Sequence, residues 1–446
     1  MTNRRQTVLV IGGGAAGIAA AWQLRRGGMN VTLVDRRSSL GGRLTSHAHE
    51  ALPTVFDNGP HLFLDSYRQA MQLFRELEID DCFHFPWPLE VPYAFAAGSA
   101  ERLTAWLLPS PLNFAAGLLN FKPLWVDARM RTVKAILKLI KGPVDSQSSI
   151  QQWLEKRTGE EEVHFFWKPL VSATMNANMA DVSVAALREV FRSGFCSPLR
   201  GGRMGYCRYP LKDVFHDKVL RKLESAGITV RLNEAVIGAE IERNRIKWVS
   251  FQQGGKSCFD HIVAALPPAA LRKFAGSFGA GEAIIKSYQL DDWRETAISN
   301  LYLWARQRPL LDPVTCTPDG PFDWVFDYGR LWGNAEAPLC LMFGQRSLVD
   351  LKKAGVTRDL VLEKLSAAFP TLRCVDWMAS RFSQEARAIS IKPHNLWGKT
   401  LPLKTDLDNL TLAGDWLDPV LPPTVEAGVR VGFKAADKLL YKYERP

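Results

Sequence analysis

Three glycines near the start of the chain have the spacing of a loop that binds phosphate. Gly12, Gly14 and Gly17 follow one apolar run, and Asp35 ends the next. The first glycine permits a tight turn, the second lets a pyrophosphate approach the backbone, and the third lets a helix pack closely on a strand. A carboxylate at Asp35 would accept a hydrogen bond from a ribose hydroxyl. The spacing therefore predicts a dinucleotide site.

The elements around these glycines are those that such a site requires. Residues 7–11, T-V-L-V-I, predict a buried parallel strand, residues 15–27 predict a helix, and residues 30–35 predict a second strand. The helix would direct its free N–H groups and the positive end of its dipole at the phosphates. We therefore expect a β-α-β unit close to the amino terminus.

The rest of the chain alternates between helical and strand-forming regions. Residues 62–200 are rich in aromatic residues and helix formers and are broken by prolines, so we expect a mostly helical region. Strands are expected again between residues 227 and 265. Further strand-like runs follow, with helices expected at 357–369 and at 423–443.

Composition limits the classes of partner. The 446 residues are 47% hydrophobic and 23% charged, which excludes a disordered or collagen-like chain. Lys and Arg outnumber Asp and Glu by 56 to 46, and the net charge of +10 favours an anionic partner such as lipid headgroups. No compact block of Lys and Arg with interleaved aromatic residues occurs, so we expect no nucleic-acid partner.

The cysteines and the apolar runs indicate the cellular compartment and whether a helix could span a membrane. The seven cysteines are scattered and form no C-x-x-C pattern, which indicates reduced thiols and a cytoplasmic location. The same scatter leads us to expect no metal site. No uninterrupted apolar stretch of about 18 residues occurs, so no transmembrane helix is expected.

Two further motifs resemble those of the amine oxidase and phytoene desaturase flavoprotein superfamily. Gly41-Gly42-Arg43 follows Asp35 closely, and Gly414-Asp415-Trp416 precedes the segment 422–428, P-P-T-V-E-A-G. The resemblance implies FAD as the cofactor. It also implies an α/β fold, in which a Rossmann-like FAD-binding domain of the glutathione-reductase type lies beside a mixed α+β substrate domain. Asp35 departs from the Glu that is usual in the superfamily, which would shorten the ribose contact.

Within that superfamily the chain is similar to squalene-associated FAD-dependent desaturases, now described as hydroxysqualene dehydroxylases. The similar segments are D-N-G-P-H-L at 57–62, F-W-K-P-L at 166–170, L-R-G-G at 199–202 and W-V-F-D at 324–327. The resemblance implies that hydroxysqualene, a C30 isoprenoid with an allylic hydroxyl, loses water and receives hydride from reduced FAD to give squalene. Such a reaction belongs to squalene and hopanoid biosynthesis.

The resemblance also assigns cofactor-binding residues. Gly414 would let the ribityl–phosphate chain approach the backbone, Asp415 would accept from a ribityl hydroxyl, and Val236 would lie near the adenine. A single dinucleotide loop occurs, so we expect an external electron donor. The complete predicted set is Gly12, Gly14, Ala16, Gly17, Asp35, Arg36, Gly42, Arg43, Leu44, Gly59, Pro60, His61, Val236, Gly414, Asp415, Thr424 and Val425.

The leaving hydroxyl needs an acid, because hydroxide departs more readily as water. His61 is the first candidate, since it follows a turn that passes close to the flavin ring in the superfamily; the alternative is a core or backbone-orienting histidine. Asp65 and Asp327 are weaker candidates, and Asp57 is expected to serve in the turn and as a helix cap.

The motifs divide the chain into two domains. Residues 1–62, 200–275 and 395–446 are expected to form a discontinuous FAD-binding domain. Residues 63–199 and 276–394 are expected to form the substrate domain, with a long apolar pocket for the isoprenoid.

One segment of the substrate domain predicts contact with a membrane. Residues 121–142 carry six Lys or Arg against one acid, and Val133, Ile136, Leu137 and Ile140 recur at helical spacing. A basic amphipathic helix suits an anionic interface, so segment 103–142 is expected to face the membrane. The alternative is a solvated helix whose apolar side packs on the core. With the cytoplasmic location, this predicts a peripheral protein on the inner face of the cytoplasmic membrane.

Other functions remain open at this point. Pro60 stands where the dehydroxylases more often have Gln, a pattern shared with carotenoid-type desaturases, so a carotenoid or phytoene-type desaturase or isomerase is the alternative enzyme. A lipid carrier that keeps the fold without catalysis is the alternative of a different class.

Overall fold

The computed structural model describes residues 5–105, 108, 112–195 and 202–441. Residues 199–201 of the L-R-G-G motif, and part of segment 103–142, lie outside the described residues. The strands, numbered in chain order, are β1 (Thr7–Ile11), β2 (Asn30–Val34), β3 (Ser46–His47), β4 (Phe56–Asp57), β5 (Leu62–Leu64), β6 (Phe83–His84), β7 (Glu90–Ala94), β8 (Ala100–Thr104), β9 (Met204–Cys207), β10 (Thr229–Arg231), β11 (Val236–Glu242), β12 (Arg245–Phe251), β13 (Lys256–Ser257), β14 (His261–Ala265), β15 (Arg294–Ala305), β16 (Val314–Cys316), β17 (Trp324–Asp327), β18 (Leu339–Gly344), β19 (Trp377–Ile391) and β20 (Leu410–Ala413).

The helices alternate with these strands and several are prolonged by a π-helical turn. In chain order they are α1 (Ala15–Arg26), α2 (Arg68–Glu76), α3 (Leu112–Leu119), α4 (Val126–Lys141), α5 (Ile150–Glu155), α6 (Glu160–Glu162), α7 (Lys168–Met175), α8 (Val184–Glu189), α9 (Val219–Ser225), α10 (Pro268–Ala275), α11 (Gly281–Ser287), α12 (Tyr328–Trp332), α13 (Leu348–Lys353), α14 (Arg358–Ala368) and α15 (Val425–Leu440).

A parallel sheet lies at the centre of one half of the folded molecule, and its strands come from both ends and the middle of the chain. Its strands run in the order β10-β2-β1-β14-β20, and Val10 of β1 pairs with Leu33 of β2 and Val263 of β14. The central strands are buried and apolar because helices cover both faces of such a sheet. The antiparallel strands β11–β13 are inserted between β10 and β14. This is the predicted Rossmann-like arrangement, whose ligands bind at the carboxyl ends of the strands.

Helices α1 and α15 pack against each other through small residues. A Cβ atom added at Gly432 would lie 2.3 Å from the carbonyl oxygen of Ala16 and 2.9 Å from Cβ of Ala19. The two backbones therefore approach more closely than larger side chains would permit. This packing fixes the first turns of the two helices relative to each other.

A seven-stranded sheet forms the second half, in the order β19-β15-β18-β17-β16-β7-β8. Because side chains alternate along a strand, Tyr302 and Trp304 of β15 face one hydrophobic cluster, whereas Leu301 and Leu303 face another. The first of these clusters, hereafter the aromatic cluster, packs the sheet against the helices between 112 and 195. The second packs it against α13 and α14.

Two features differ from the expectations. Residues 62–104 form strands β5–β8 around α2, so helices dominate only from Leu112 onward. Aromatic and proline-rich sequence is compatible with short strands, and periodicity did not separate the two. The core around the parallel sheet also includes residues 70–83 and 278–290, so it extends past the predicted domain bounds at 62 and 275.

Candidate cofactor and active site

The glycine loop between β1 and α1 has the geometry that the sequence predicts. Gly12 has a φ of +106°, and a Cβ atom there would lie 2.4 Å from the carbonyl oxygen of Ala265. A Cβ at Gly17 would lie 1.8 Å from the carbonyl oxygen of Gly12, so the helix can pack here only with glycine. A Cβ at Gly14 would meet nothing closer than Gly42 Cα at 4.0 Å. The space before Gly14 and the start of α1 is therefore open to a ligand.

The second glycine motif folds directly onto the first. The Gly41 N–H donates to the carbonyl oxygen of Gly13 at 2.8 Å, and Leu44, which is buried, donates its N–H to the carbonyl of Gly41. The Arg43 guanidinium donates to the Asp415 carboxylate at 2.5 Å. Residues that lie nearly the whole length of the chain apart are thus joined at one site.

Asp35 holds the loop together. One carboxylate oxygen accepts from the Gly13 N–H at 2.7 Å and the other from the Arg37 N–H at 2.8 Å. The contact of Asp35 with a ribose stays a prediction. The side chain of Arg36 is exposed, whereas the Arg37 guanidinium donates to the carbonyl oxygen of Gly42. Sequence reasoning therefore missed Arg37, although alternation after β2 could have indicated it.

Val236 lies at the same edge of the sheet. The N–H groups of Asn233 and Glu234 donate to the carbonyl oxygens of Arg37 and Asp35, each at 2.9 Å. Val236 then begins β11, two residues further on. The structure thus joins the segment that leads into Val236 to the backbone of Asp35 and Arg37.

The carboxyl-terminal motif also lies at this site, where Asp415 pairs with Arg43. Gly414 has a φ of +150°, and a Cβ there would lie 2.6 Å from Nε1 of Trp416. Thr424 caps α15, because its hydroxyl accepts from the Ala427 N–H at 3.1 Å, and Val425 is the first helical residue. A Cβ at Gly428 would lie 3.6 Å from Cβ of Ala15. The first turns of α1 and α15 therefore converge, and both present backbone N–H groups.

These elements fit a dinucleotide with a flavin ring. An open space lies between two helix amino termini, which favour anionic phosphate and a carbonyl that gains negative charge. Arg43 and Arg37 add positive charge, and Asp415 supplies an acceptor for a hydroxyl group. Ala16 lies in the first turn of α1, where its backbone forms part of the same cradle.

The segment 57–61 lies between this cradle and the seven-stranded sheet. The Tyr302 hydroxyl donates to the carbonyl oxygen of Asp57 at 2.6 Å, and the Asn58 side chain donates to the Glu385 carboxylate at 2.8 Å. A Cβ at Gly59 would lie 3.5 Å from Nδ2 of Asn300. Gly59, Pro60 and His61 are therefore positioned by strands β15 and β19.

His61 has the properties of a neutral acceptor. Its Nδ1 lies 2.9 Å from the carbonyl oxygen of Gly59, and a carbonyl can only accept, so Nδ1 carries the proton. Desolvation is the main cause that lowers the pKa of His61 to about 4. At neutral pH the imidazole is therefore uncharged and its Nε2 holds a lone pair. This placement does not favour His61 as the proton donor.

Asp65 and Asp327 are both held in ion pairs. The Asp65 carboxylate accepts from Nε of Arg203 at 2.7 Å and from its N–H at 3.0 Å. Asp327 pairs with Arg308 at 2.6 Å in a fully buried contact and accepts from the Leu311 N–H. Their carboxylates stabilise the backbone around them, and a catalytic role for either has no support from this placement.

Asp57 is an acidic residue whose pKa is strongly raised by the fold. It is buried in β4, and one carboxylate oxygen accepts from the Ser46 hydroxyl at 2.6 Å and from the Leu211 N–H at 3.0 Å. The expected capping role thus occurs at a helical segment distant in sequence. Desolvation is the main cause that raises the pKa of Asp57 to about 7. Sequence reasoning missed this property because burial of Asp57 depends on distant segments.

Charged residues also lie on the strands beside Asn58. Glu295 of β15 pairs with Arg387 of β19 at 3.2 Å, and burial raises the pKa of Glu295.

Among the described residues, no group of three or more His, Cys, Asp or Glu could hold a metal ion. None of the helices in the described part of the chain is long and apolar enough to cross a membrane.

The fold and this site define an oxidoreductase that uses a flavin. A profile of the flavin containing amine oxidoreductase family matches residues 15–440, and the chain belongs to this family. The predicted superfamily, fold class and enzyme class are thereby confirmed.

Individual relatives show which members of the family the chain resembles. The chain is 24% identical to hydroxysqualene dehydroxylase from Rhodopseudomonas palustris, over 98% of each chain. It is 22% identical to the hydroxysqualene dehydroxylase of Zymomonas mobilis, over 97% of this chain and 98% of the relative. It is also 23% identical to 15-cis-phytoene desaturase from Synechococcus elongatus, over 67% of this chain and 65% of that protein. The resemblance to hydroxysqualene dehydroxylases is therefore confirmed.

Solved structures share the fold. An oxidoreductase from Methanosarcina mazei superposes with a TM-score of 0.72 at 17% identity, over 97% of this chain and 100% of the other. Cyclohexylamine oxidase from Brevibacterium oxydans superposes with a TM-score of 0.69 at 16% identity, over 99% and 100%. At these identities the likeness extends to the fold alone.

Proposed function

We propose that this protein is an FAD-dependent enzyme that converts hydroxysqualene to squalene. The observation that carries the proposal is the similarity to hydroxysqualene dehydroxylases over almost the whole of each chain. Bound and reduced FAD would supply hydride to the carbon that loses its hydroxyl group. The reducing electrons would come from an external donor.

The chain's own residues would hold FAD along its length. Val236 and Asp35 would lie at the adenosine end, and the first turn of α1, with Gly14, at the pyrophosphate. Asp415 would accept from the ribityl chain, and the first turn of α15 would face the ring. Gly59 and Pro60 would lie beside the ring, because strand β15 holds their segment there.

The surroundings of the ring suit a long hydrocarbon. The aromatic cluster includes Phe56 beside the site, with Tyr302 at a ring distance of 4.8 Å, and it extends to Phe114 and Phe121 near α4. An isoprenoid forms no hydrogen bonds along its chain, so apolar walls are the surface that it binds. The few polar groups near Asp57 and His61 would recognise its single hydroxyl.

The substrate would come from a membrane, and segment 103–142 would dock there. Of the fifteen large hydrophobic side chains that are exposed in the described residues, seven lie between 108 and 137: Leu108, Leu112, Leu119, Trp125, Val126, Met130 and Leu137. Trp125 and Val126 are 78% and 66% exposed. Such a concentration is typical of a membrane-contacting surface.

Lysines border this apolar surface. Lys134, Lys138 and Lys141 are exposed and form no ion pair within the described part of the chain, so they are available to anionic headgroups. Arg131 instead pairs with the buried Glu162 at 2.6 Å. We therefore propose a peripheral location on the inner face of the cytoplasmic membrane, where anionic lipids and a cytoplasmic reductant are both accessible.

The apolar face of α4 differs from the face that periodicity selected. Ile136 packs into the aromatic cluster, Val133 and Ile140 are half-buried, and Leu137 is exposed. The outward face instead carries Val126, Met130 and Leu137. Helix α4 thus has two apolar stripes, and spacing alone does not tell which one packs inward.

The test of the proposed reaction is a single-turnover assay. The purified flavoprotein is reduced with dithionite under anaerobic conditions and mixed with hydroxysqualene, and the product is analysed by mass spectrometry. We expect squalene and reoxidised flavin in equal amounts. Absence of squalene with intact bound flavin would contradict the proposal.

A desaturase is the second candidate, because the phytoene desaturase of Synechococcus elongatus matches two thirds of the chain. The same preparation, oxidised and mixed with 15-cis-phytoene, separates the two reactions. Formation of a product with additional double bonds, together with no squalene from hydroxysqualene, would favour the desaturase.

A further inference from the structure

A small cavity lies directly behind the segment 57–61. Its polar lining residues include Asp57, His61, Tyr206 and Tyr328, and its apolar lining includes Leu62 and Phe326. Pro60 also borders it, so the cavity adjoins the position proposed for the flavin ring. Its volume of about 10 Å³ has room for one hydroxyl group or one water molecule, so the group it can accept is the hydroxyl of a substrate and not the hydrocarbon chain.

The Asp57 carboxyl has one engaged and one available oxygen. Oδ1 accepts both hydrogen bonds that the carboxyl receives, from the Ser46 hydroxyl and from the Leu211 N–H. Oδ2 accepts no hydrogen bond from the described residues. Asp57 lines the cavity, so a proton on Oδ2 can be donated to a guest hydroxyl there.

Tyr328 supplies an unused hydroxyl beside this carboxyl. Its side chain is buried, and its hydroxyl has no hydrogen-bond partner among the described residues. The hydroxyl faces Asp57, without the geometry of a normal hydrogen bond. A buried hydroxyl without a partner is costly, and a guest hydroxyl in the cavity would satisfy it.

Burial among uncharged side chains disfavours the ionised form of Asp57. Tyr302 of β15, Tyr328 of α12, Cys340 of β18 and Cys207 of β9 face it, and all four are buried. The negative charge of Asp213 raises the pKa of Asp57 further. No arginine or lysine is among the groups that shift the Asp57 pKa, and burial raises that pKa to about 7. The carboxyl therefore retains a proton in a pH range where exposed aspartates have lost theirs.

We propose that Asp57 is the catalytic acid that protonates the departing hydroxyl group, and that Tyr328 is the residue that positions this group. The inference rests on the proposed dehydroxylation. The carbon–oxygen bond breaks and its electron pair stays on oxygen, while the proton of Asp57 moves to the same oxygen and water leaves. Bound reduced flavin would supply the hydride that the carbon receives, and the Asp57 carboxylate would regain a proton from solvent.

His61 would assist as an acceptor. Its neutral imidazole has a lone pair on Nε2, because Nδ1–H is directed at Gly59. The hydroxyl of the substrate could donate to that lone pair while its oxygen faces the Asp57 carboxyl. This arrangement assigns opposite roles to two residues of one short segment, one as the acid and one as an orienting acceptor.

The test compares the wild-type flavoprotein with Asp57→Asn, which keeps an oxygen for Ser46 and Leu211 but removes the acid. We expect normal flavin content and squalene formation slowed by about 100-fold or more in single turnover, which is the typical effect of losing a general acid. The infrared difference spectrum between the wild type and Asp57→Asn should show a protonated-carboxyl band at neutral pH that belongs to the wild type. This spectroscopic readout does not depend on turnover.

Tyr328→Phe provides the second variant. The Tyr328 hydroxyl lowers the pKa of Asp57, so its removal should move the alkaline limb of the rate profile to higher pH. Conversion of hydroxysqualene by Asp57→Asn at the wild-type rate, or a wild type with no protonated carboxyl at neutral pH, would overturn the inference while leaving the proposed reaction intact. A wild type that forms no squalene overturns the proposed reaction itself, and the inference with it.

Discussion

Individual residues in this site are constrained in different ways, and two glycines of one motif illustrate the difference. Gly17 is required by the fold, because a Cβ there would lie 1.8 Å from the Gly12 carbonyl oxygen. Gly14 has open space before it, so only a ligand would meet its side chain. The sequence pattern treats both alike, whereas the structure separates a packing glycine from a binding glycine.

This difference predicts opposite outcomes for two alanine variants. Gly14→Ala should keep its melting temperature without cofactor and lose affinity for FAD, because the added methyl occupies the pyrophosphate position. Gly17→Ala should lower the melting temperature of the flavin-free protein as well, since helix α1 must move. Thermal unfolding and flavin absorbance of the purified variants measure both effects. Equal melting of the two flavin-free variants would contradict the distinction.

Asp57 should make stability depend on pH in a defined direction. Its pKa is raised to about 7 in the folded chain, above the value of about 4 for an unfolded aspartate, so its contribution is complete below about pH 4 and is lost as pH rises through 7. Asp57→Asn should therefore gain melting temperature relative to the wild type as pH rises from about 4 to about 7, and the difference should level off above that. The lowered pKa of His61 acts in the opposite direction, but it is shared by both proteins and cancels in the difference. A constant difference across this range would show that Asp57 is ionised throughout.

At the scale of elements, the sequence predicted those strands and helices that have a hydrophobic or glycine pattern of their own. The β1–α1–β2 unit and the helix at 358–368 were predicted almost to the residue, because each has its own periodicity or glycine pattern. Strands β7 and β8 were missed because they form a local hairpin whose proline-containing sequence does not alternate clearly, whereas β5 and β6 were missed because their pairing partner β9 lies more than a hundred residues away. The environment of Asp57 was missed for the same reason, because Tyr302, Tyr328 and Cys340 reach it only through the tertiary fold.

Helix α4 permits a matched test of its outward apolar face. Val126→Glu with Met130→Glu should reduce binding to anionic vesicles, because both side chains are exposed on the proposed docking surface. Val349→Glu with Met378→Glu is the control, since these residues have nearly the same exposure on other elements: 60% and 47%, against 66% and 44%. Vesicle co-sedimentation measures the difference. Equal loss of binding in the two double variants would mean that the added charge, rather than the surface, is responsible.

For the whole molecule, the aromatic cluster lies between the proposed membrane-docking surface and the proposed cofactor site. The aromatic cluster contains buried residues of α3 and α4 and also Phe56, which is next to the segment 57–61. The polar groups lie at its inner end, near Asp57 and His61. In the proposed function, apolar side chains spread over the cluster would bind the hydrocarbon chain of the substrate. The few polar groups near Asp57 and His61 would carry out the proton transfer.

The net charge of +10 predicts how docking should respond to salt. Electrostatic attraction to anionic lipid is screened as the Debye length falls from about 10 Å at 0.1 M to about 3 Å at 1 M, whereas apolar insertion is not. Wild-type binding to anionic vesicles should therefore weaken with salt but persist in part. Replacement of Lys134, Lys138 and Lys141 by Gln should remove much of the salt-dependent portion, and Val126→Glu with Met130→Glu should remove the portion that persists. Replacement of Lys352, Lys353 and Lys399 by Gln is the charge-matched control, because these residues are exposed on other elements. If both lysine triples weaken binding equally, the attraction comes from net charge alone and α4 has no special part in docking.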